Sequence, residues 1–65
     1  MSYGREDAAV AILNDAGARQ YHNRHGEWVI EVPAQNDRPA VRWAIQDLAK
    51  TSGLEPHVVL VRKSA

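Results

Sequence analysis

Three histidines are the first residues in this chain whose chemistry could be put to use. His22 and His25 stand three positions apart, and His57 lies far along the sequence. Neutral imidazoles bind zinc, and an H-x-x-H spacing supplies half of such a site, but a closed site needs about four ligands. The remaining candidates, Glu27, Glu31 and Asp37, form no recognisable second half. The expectation is solvated histidines, with no metal and no other cofactor.

Hydroxyl and acid–base chemistry fares no better. Ser2, Thr51, Ser52 and Ser64 are read as cap, turn or terminus residues. No serine sits in a G-x-S-x-G setting, and there is no glycine-rich phosphate loop. A pairing of His25 with Glu27 or Glu31 can be drawn, as it can on most hairpins. The chain is expected not to be an enzyme.

Arginines offer a third possibility. Arg19, Arg24, Arg38 and Arg42, with Arg62 and Lys63 further on, could line a phosphate backbone, and Tyr21, His22 and His25 could stack on unpaired bases. Against this, Glu27, Glu31, Asp37 and Asp47 are interspersed among them. Eight basic and eight acidic residues cancel, whereas phosphate neutralisation usually leaves an excess of Lys and Arg. Nucleic-acid binding through Arg19, Arg24, Arg38 and Arg42 is the alternative, not the first, expectation.

The 65 residues contain no cysteine, so neither a disulfide nor a thiolate site can reinforce the fold. One domain over 1–65 is expected, near the lower limit for a core that folds without staples. No apolar run approaches the roughly 20 residues of a membrane span. Met1-Ser2-Tyr3-Gly4-Arg5 lacks the charged start and apolar block of a secretory signal. A cytoplasmic protein is expected.

The elements that must position these residues are well marked. Ala9, Ile12, Leu13 and Ala16 recur at helical spacing over about Arg5 to Ala16, with Glu6 and Asp7 at the positive end of the dipole and Gly17 at the stop. Arg19–Arg24 and Glu27–Val32 flank His25-Gly26, which reads as a two-residue hairpin loop. That register sets His22 opposite Val29 and Tyr21 opposite Ile30. Tyr21, Trp28, Ile30 and Val32 then share the core face, and Gln20, His22, Val29 and Glu31 the other.

A second helix opens with Asp37 as N-cap and Pro39 in the first turn. It buries Val41, Ala44, Ile45, Leu48 and Ala49, and leaves Arg42, Gln46, Asp47 and Lys50 outside, with Trp43 on the edge of the stripe. Gly53 closes it, with Leu54 as a hydrophobic clasp and Pro56 beyond. Val58-Val59-Leu60-Val61 is a third strand, apolar on both faces.

The order α-β-β-α-β predicts a small two-layer α+β domain: a three-stranded mixed sheet with both helices on one face. The helix between the second and third strands makes those two parallel, and the sequence leaves open whether the third lies beside the second or the first. One apolar pair of the last strand must face outward beside Val29, which points to an interface. The expected function is a small protein-binding module, an inhibitor, adaptor or antitoxin-like regulator of the kind phages and mobile elements encode, acting alone or as a homodimer. Its expected contact residues are Gln20, His22, Val29 and Glu31 on the open face, Arg24 and Arg38 as charged rim, and Trp43 as a second anchor. On this reading Val29→Glu weakens an assembly and leaves the monomer folded.

Overall fold

The computed structural model describes residues 5–62. The expectations placed on Ser2, Lys63 and Ser64, and on the first five residues as a leader, fall largely or wholly outside that range.

The elements follow the expected order. Helix α1 (Arg5–Asp15) is followed by strands β1 (Arg19–His22) and β2 (Trp28–Pro33), a 3-10 turn (Ala34–Asn36), helix α2 (Pro39–Ser52) and strand β3 (His57–Val61). The sheet order is β1-β2-β3, with β2 antiparallel to β1 and parallel to β3. This is a small α+β domain with a mixed three-stranded sheet.

One core holds it together. Ala9 and Leu13 from α1, Ile30 and Val32 from β2, and Val41, Ala44, Ile45 and Leu48 from α2 form a single buried cluster. Ile12, Ala16, Trp28 and Val58 pack against its edge. The helical spacing of these positions is what turns each helix towards the sheet. Helix α2 stops as its sequence dictates: Gly53 takes a left-handed conformation (φ 73°) and its N–H donates to the Ala49 carbonyl at 2.9 Å. Leu54, expected to clasp that end, is 58 % exposed.

Three local expectations are corrected. Asp37 is not the N-cap of α2. Pro39 fixes the first helical position, which makes Arg38 the cap residue, and Arg38 has no side-chain capping bond. Asp37, one residue too early, instead accepts from Arg42 Nε at 2.8 Å and Nη2 at 3.1 Å. That guanidinium holds the Asp37 carboxyl below the usual carboxylate range. Asp47, expected outside, is buried, and its Oδ2 finds no hydrogen-bond partner among the described residues. At 100° per residue it lies only about 60° around the helix from Ala44, so it borders the buried arc.

The third correction is the hairpin register. Arg19 pairs with Glu31, Gln20 with Ile30, Tyr21 with Val29 and His22 with Trp28, one residue away from the expected alignment. The turn explains the slip. A two-residue loop of either favoured hairpin type would need positive φ at His25, its first position, yet among the described residues only glycines have positive φ. The chain turns instead through Arg24-His25-Gly26: the Gly26 N–H donates to the Asn23 carbonyl at 2.9 Å, with Gly26 at φ 77°. Asn23 fixes this turn, because its Oδ1 accepts from the N–H groups of both His25 and Glu27 at 2.9 Å. Asparagine at the start and glycine in the left-handed position is the signature of a three-residue loop.

The slip exchanges faces on β1, since a shift by one residue turns every side chain over. Tyr21, expected in the core, joins the open face, while Gln20 and His22 move to the helix side. There Trp28 Nε1 donates to Gln20 Oε1 at 3.2 Å.

Candidate functional site

The open face of the sheet collects residues from all three strands. Arg19 and Tyr21 come from β1, Val29, Glu31 and Pro33 from β2, and His57, Val59 and Val61 from β3. The outward pair of β3 beside Val29 is therefore Val59 and Val61, both 44 % exposed. Val58 and Leu60 turn to the helix side with Ile30 and Val32.

Two diagonal hydrogen bonds cross this face. Tyr21 Oη donates to Glu31 Oε2 at 2.9 Å, which holds the phenol above its usual range. On the other flank, His57 Nε2 meets Glu27 Oε2 at 2.7 Å. Tyr21 and His57 are the two direct neighbours of Val29, and each reaches away along the strand from it, Tyr21 to one end and His57 to the other. Between them Val29 is only 6 % exposed. It lies on the expected face, but is buried and offers no contact surface. Glu31 is partly buried and tied to Tyr21.

Glu27 is also anchored from behind, because Asn23 Nδ2 donates to its Oε1 at 3.1 Å. That bond, and then His57, hold the Glu27 carboxyl below the usual carboxylate range. The sign follows directly. A depressed carboxylate stabilises the fold above its unfolded-state range, and that contribution fades as pH falls through the folded value. Asn23→Ala is expected to move the Glu27 titration midpoint upward, as followed by the side-chain carboxyl NMR shift. An unmoved midpoint would show that Asn23 does not support this carboxylate.

At the far end of the open face is a concavity of about 680 Å³, lined by Gly17, Arg19, Glu31, Pro33, Ala34, Gln35, Val61 and Arg62. Pro33 and Val61 give it an apolar floor, and Arg19 and Arg62 stand on its two sides. Among the described residues the one guanidinium ion pair is Arg42 with Asp37, so neither Arg19 nor Arg62 is engaged in one. Two guanidiniums against the single Glu31 carboxylate leave this end of the face positive.

The other sequence-derived candidates do not converge here. Arg24 lies in the hairpin loop, beyond the Trp28 end of β2, whereas Arg19 pairs beside Glu31 towards its Pro33 end. Arg38 borders a separate recess of about 270 Å³ with Ile12, Asp15, Ala16, Asn36, Ala40 and Val41. In the wall of that recess, Asn36 Nδ2 donates to the Ala16 carbonyl at 2.8 Å and closes the end of α1. Arg42 is held by Asp37. Trp43 is 48 % exposed on α2, in the layer opposite the open face. The four arginines proposed to track a phosphate backbone are thus divided between the two ends of the sheet, and one is already paired.

His57 and Glu27 form a base with an orienting carboxylate, but their side chains are 62 % and 46 % exposed. Among the described residues no serine or threonine lies on this face. Among the described residues no three His, Asp or Glu side chains converge as metal ligands, and no helix is long and apolar enough to cross a membrane. Sequence reasoning placed Tyr21 in the core and left open which apolar pair of β3 faces outward. The Asn23…Gly26 loop signature, which sets the register, was the signal that could have placed Tyr21. No family model, no curated protein and no solved structure matches the chain.

Proposed function

We propose that this chain is a non-enzymatic protein-binding module, an inhibitor, adaptor or antitoxin-like regulator that takes an extended acidic segment of a partner protein on its open sheet face. The observation that carries this reading is the concavity between Arg19 and Arg62. Its volume falls in the range of ligand sites, roughly 300–1,000 Å³. Its floor is apolar, its two flanking cations are uncommitted among the described residues, and it opens along the strands onto exposed Val59. Alternating acidic and apolar side chains of an extended segment match that pattern: carboxylates reach the guanidiniums while apolar groups cover Pro33 and Val61. Exposed guanidiniums on the rim set partner choice and association rate more than affinity.

The test is fluorescence anisotropy with a labelled decapeptide alternating glutamate with valine and threonine, beside its lysine counterpart and a single-stranded RNA oligonucleotide. The acidic peptide is expected to bind with a dissociation constant in the micromolar range, and the double variant Arg19→Glu, Arg62→Glu to weaken it at least tenfold. Equal binding of the basic peptide, or tighter binding of the RNA, would overturn the reading. Tighter RNA binding would move the arginine-based nucleic-acid alternative into its place.

A further inference from the structure

We infer that β3 pairs with β3 of a second copy, antiparallel about a two-fold axis through Val59, to give a continuous six-stranded sheet. This concerns the sheet edge, not the concavity, and stands whether or not a peptide binds there.

The two edges of the sheet are built differently. Edge strand β1 reads Arg-Gln-Tyr-His, with all four residues exposed. It carries the charge and polarity by which natural sheets prevent further pairing. Edge strand β3 reads His-Val-Val-Leu-Val and has no charged residue, no proline and no bulge. Val59, Leu60 and Val61 are 44, 43 and 44 % exposed, on both faces of the strand. Among the described residues no strand pairs with the outer edge of β3, and the unpaired backbone groups of an edge are a ready template for another strand.

A second copy fits this edge for reasons of register. A two-fold axis along the sheet normal keeps each side chain on its own face. Residues opposite one another across the joint must then have numbers of even sum. Centring on Val59 brings all five β3 residues into pairing: Val59 opposite Val59, Val58 opposite Leu60, and His57 opposite Val61. Val58, Val59 and Leu60 each meet a valine or leucine on the correct face, and the helices of both copies stay on one side. Centring on Leu60 would instead set Arg62 against Val58.

The charges agree as well. The chain has no net charge, so two copies do not repel. At each end of the joint, Glu55 and Pro56 of one copy come beside Arg62 of the other. The joint also leaves only guarded edges, since β1 closes the six-stranded sheet at both ends. His57 of the second copy comes to stand next to Val61 and so extends the wall of the concavity.

The paired strands are about 16 Å long at roughly 3.3 Å per residue, which places the joint among small interfaces, under about 1,200 Å² in total. The dimer should therefore dissociate in the micromolar range, on the order of 1–100 µM. Sedimentation equilibrium over that range is expected to show the average mass rising from 7.2 kDa towards twice that value. Val59→Lys sets two ammonium groups directly opposite and should weaken the dimer at least tenfold. Gln20→Lys, on the guarded edge, should leave it unchanged. Circular dichroism checks that both variants are folded, which the 44 % exposure of Val59 favours.

Cysteine substitution reads the register itself, because the chain has no cysteine of its own. Facing residues of an antiparallel pair have Cα atoms about 4.5–5.5 Å apart, within disulfide range. Val59→Cys should therefore cross-link on mild oxidation, and Val61→Cys should not. A mass fixed at the monomer value throughout overturns the inference. So does a dimer that survives Val59→Lys, or one that cross-links through Val61→Cys in preference to Val59→Cys.

Discussion

Ile30→Ala should cost about 2–5 kcal/mol, the usual range for truncating a buried isoleucine to alanine. A domain of this length has a total stability of only about 3–10 kcal/mol, so the variant should be largely unfolded or close to it at room temperature. Three observations put the cost in the upper part of that range. Ile30 is fully buried, and it lies on the central strand, flanked by Gln20 on β1 and Val58 on β3. It is also one of the few large side chains that are fully buried, with Leu13 and Val32. A core this small has little else with which to fill the space, and both helices lose packing at once. Urea denaturation followed by far-UV circular dichroism is the direct measurement, with Val58→Ala for comparison. Val58 shares the face but sits on an edge strand and is half-buried, so its truncation should cost clearly less. Equal losses at the two positions would show that burial does not organise this core as described.

Much of this was legible in the residues. Val41, Ala44, Ile45 and Leu48 recur at helical spacing, and they are the buried face of α2. Pro39 and Gly53 bound that helix, because proline suits a first turn and glycine a left-handed stop. What could not be read were positions decided by one residue of offset. Asp37 resembles a cap by type, but a cap is defined by its distance from the first helical N–H, and Pro39 moved that distance. Asp47 looks like a surface residue, yet its angle around the helix lies beside the buried arc. The candidate site suffered most, because the hairpin register rests on a turn that two readings of Asn23-Arg24-His25-Gly26 could supply. Choosing the shorter one sent Gln20 and His22 to the wrong face and hid the Tyr21–Glu31 contact. Glu31 and Val29 kept their face, since β2 alternation does not depend on its partner. How buried Val29 is depends on its pairing with two other strands, which no local pattern records.

Val29→Glu is where that difference has its largest consequence. Read as an exposed contact residue, Val29 should accept a charge without loss of fold. The structure predicts the reverse, a loss of about 2–4 kcal/mol from burying a charge that lacks a partner. Val29 is buried between its strand neighbours Tyr21 and His57, and the new carboxylate would stand between Glu27 and Glu31, two positions away on each side and on the same face. It would therefore be both desolvated and surrounded by like charge, and each effect raises a carboxyl's pKa. The sign of the pH dependence follows. A carboxyl raised in the folded state lowers stability while ionised, and the loss is relieved as pH falls and it binds its proton. The variant should thus recover part of its deficit on mild acidification, even as the native Glu27 contribution fades. Val59→Glu is the matched comparison, on the same face but 44 % exposed, and should cost under about 1 kcal/mol in the monomer. Denaturation midpoints for the two variants at neutral and mildly acidic pH decide the matter. Equal midpoints, or a Val29→Glu deficit that deepens in acid, would mean that this position is not buried between Tyr21 and His57.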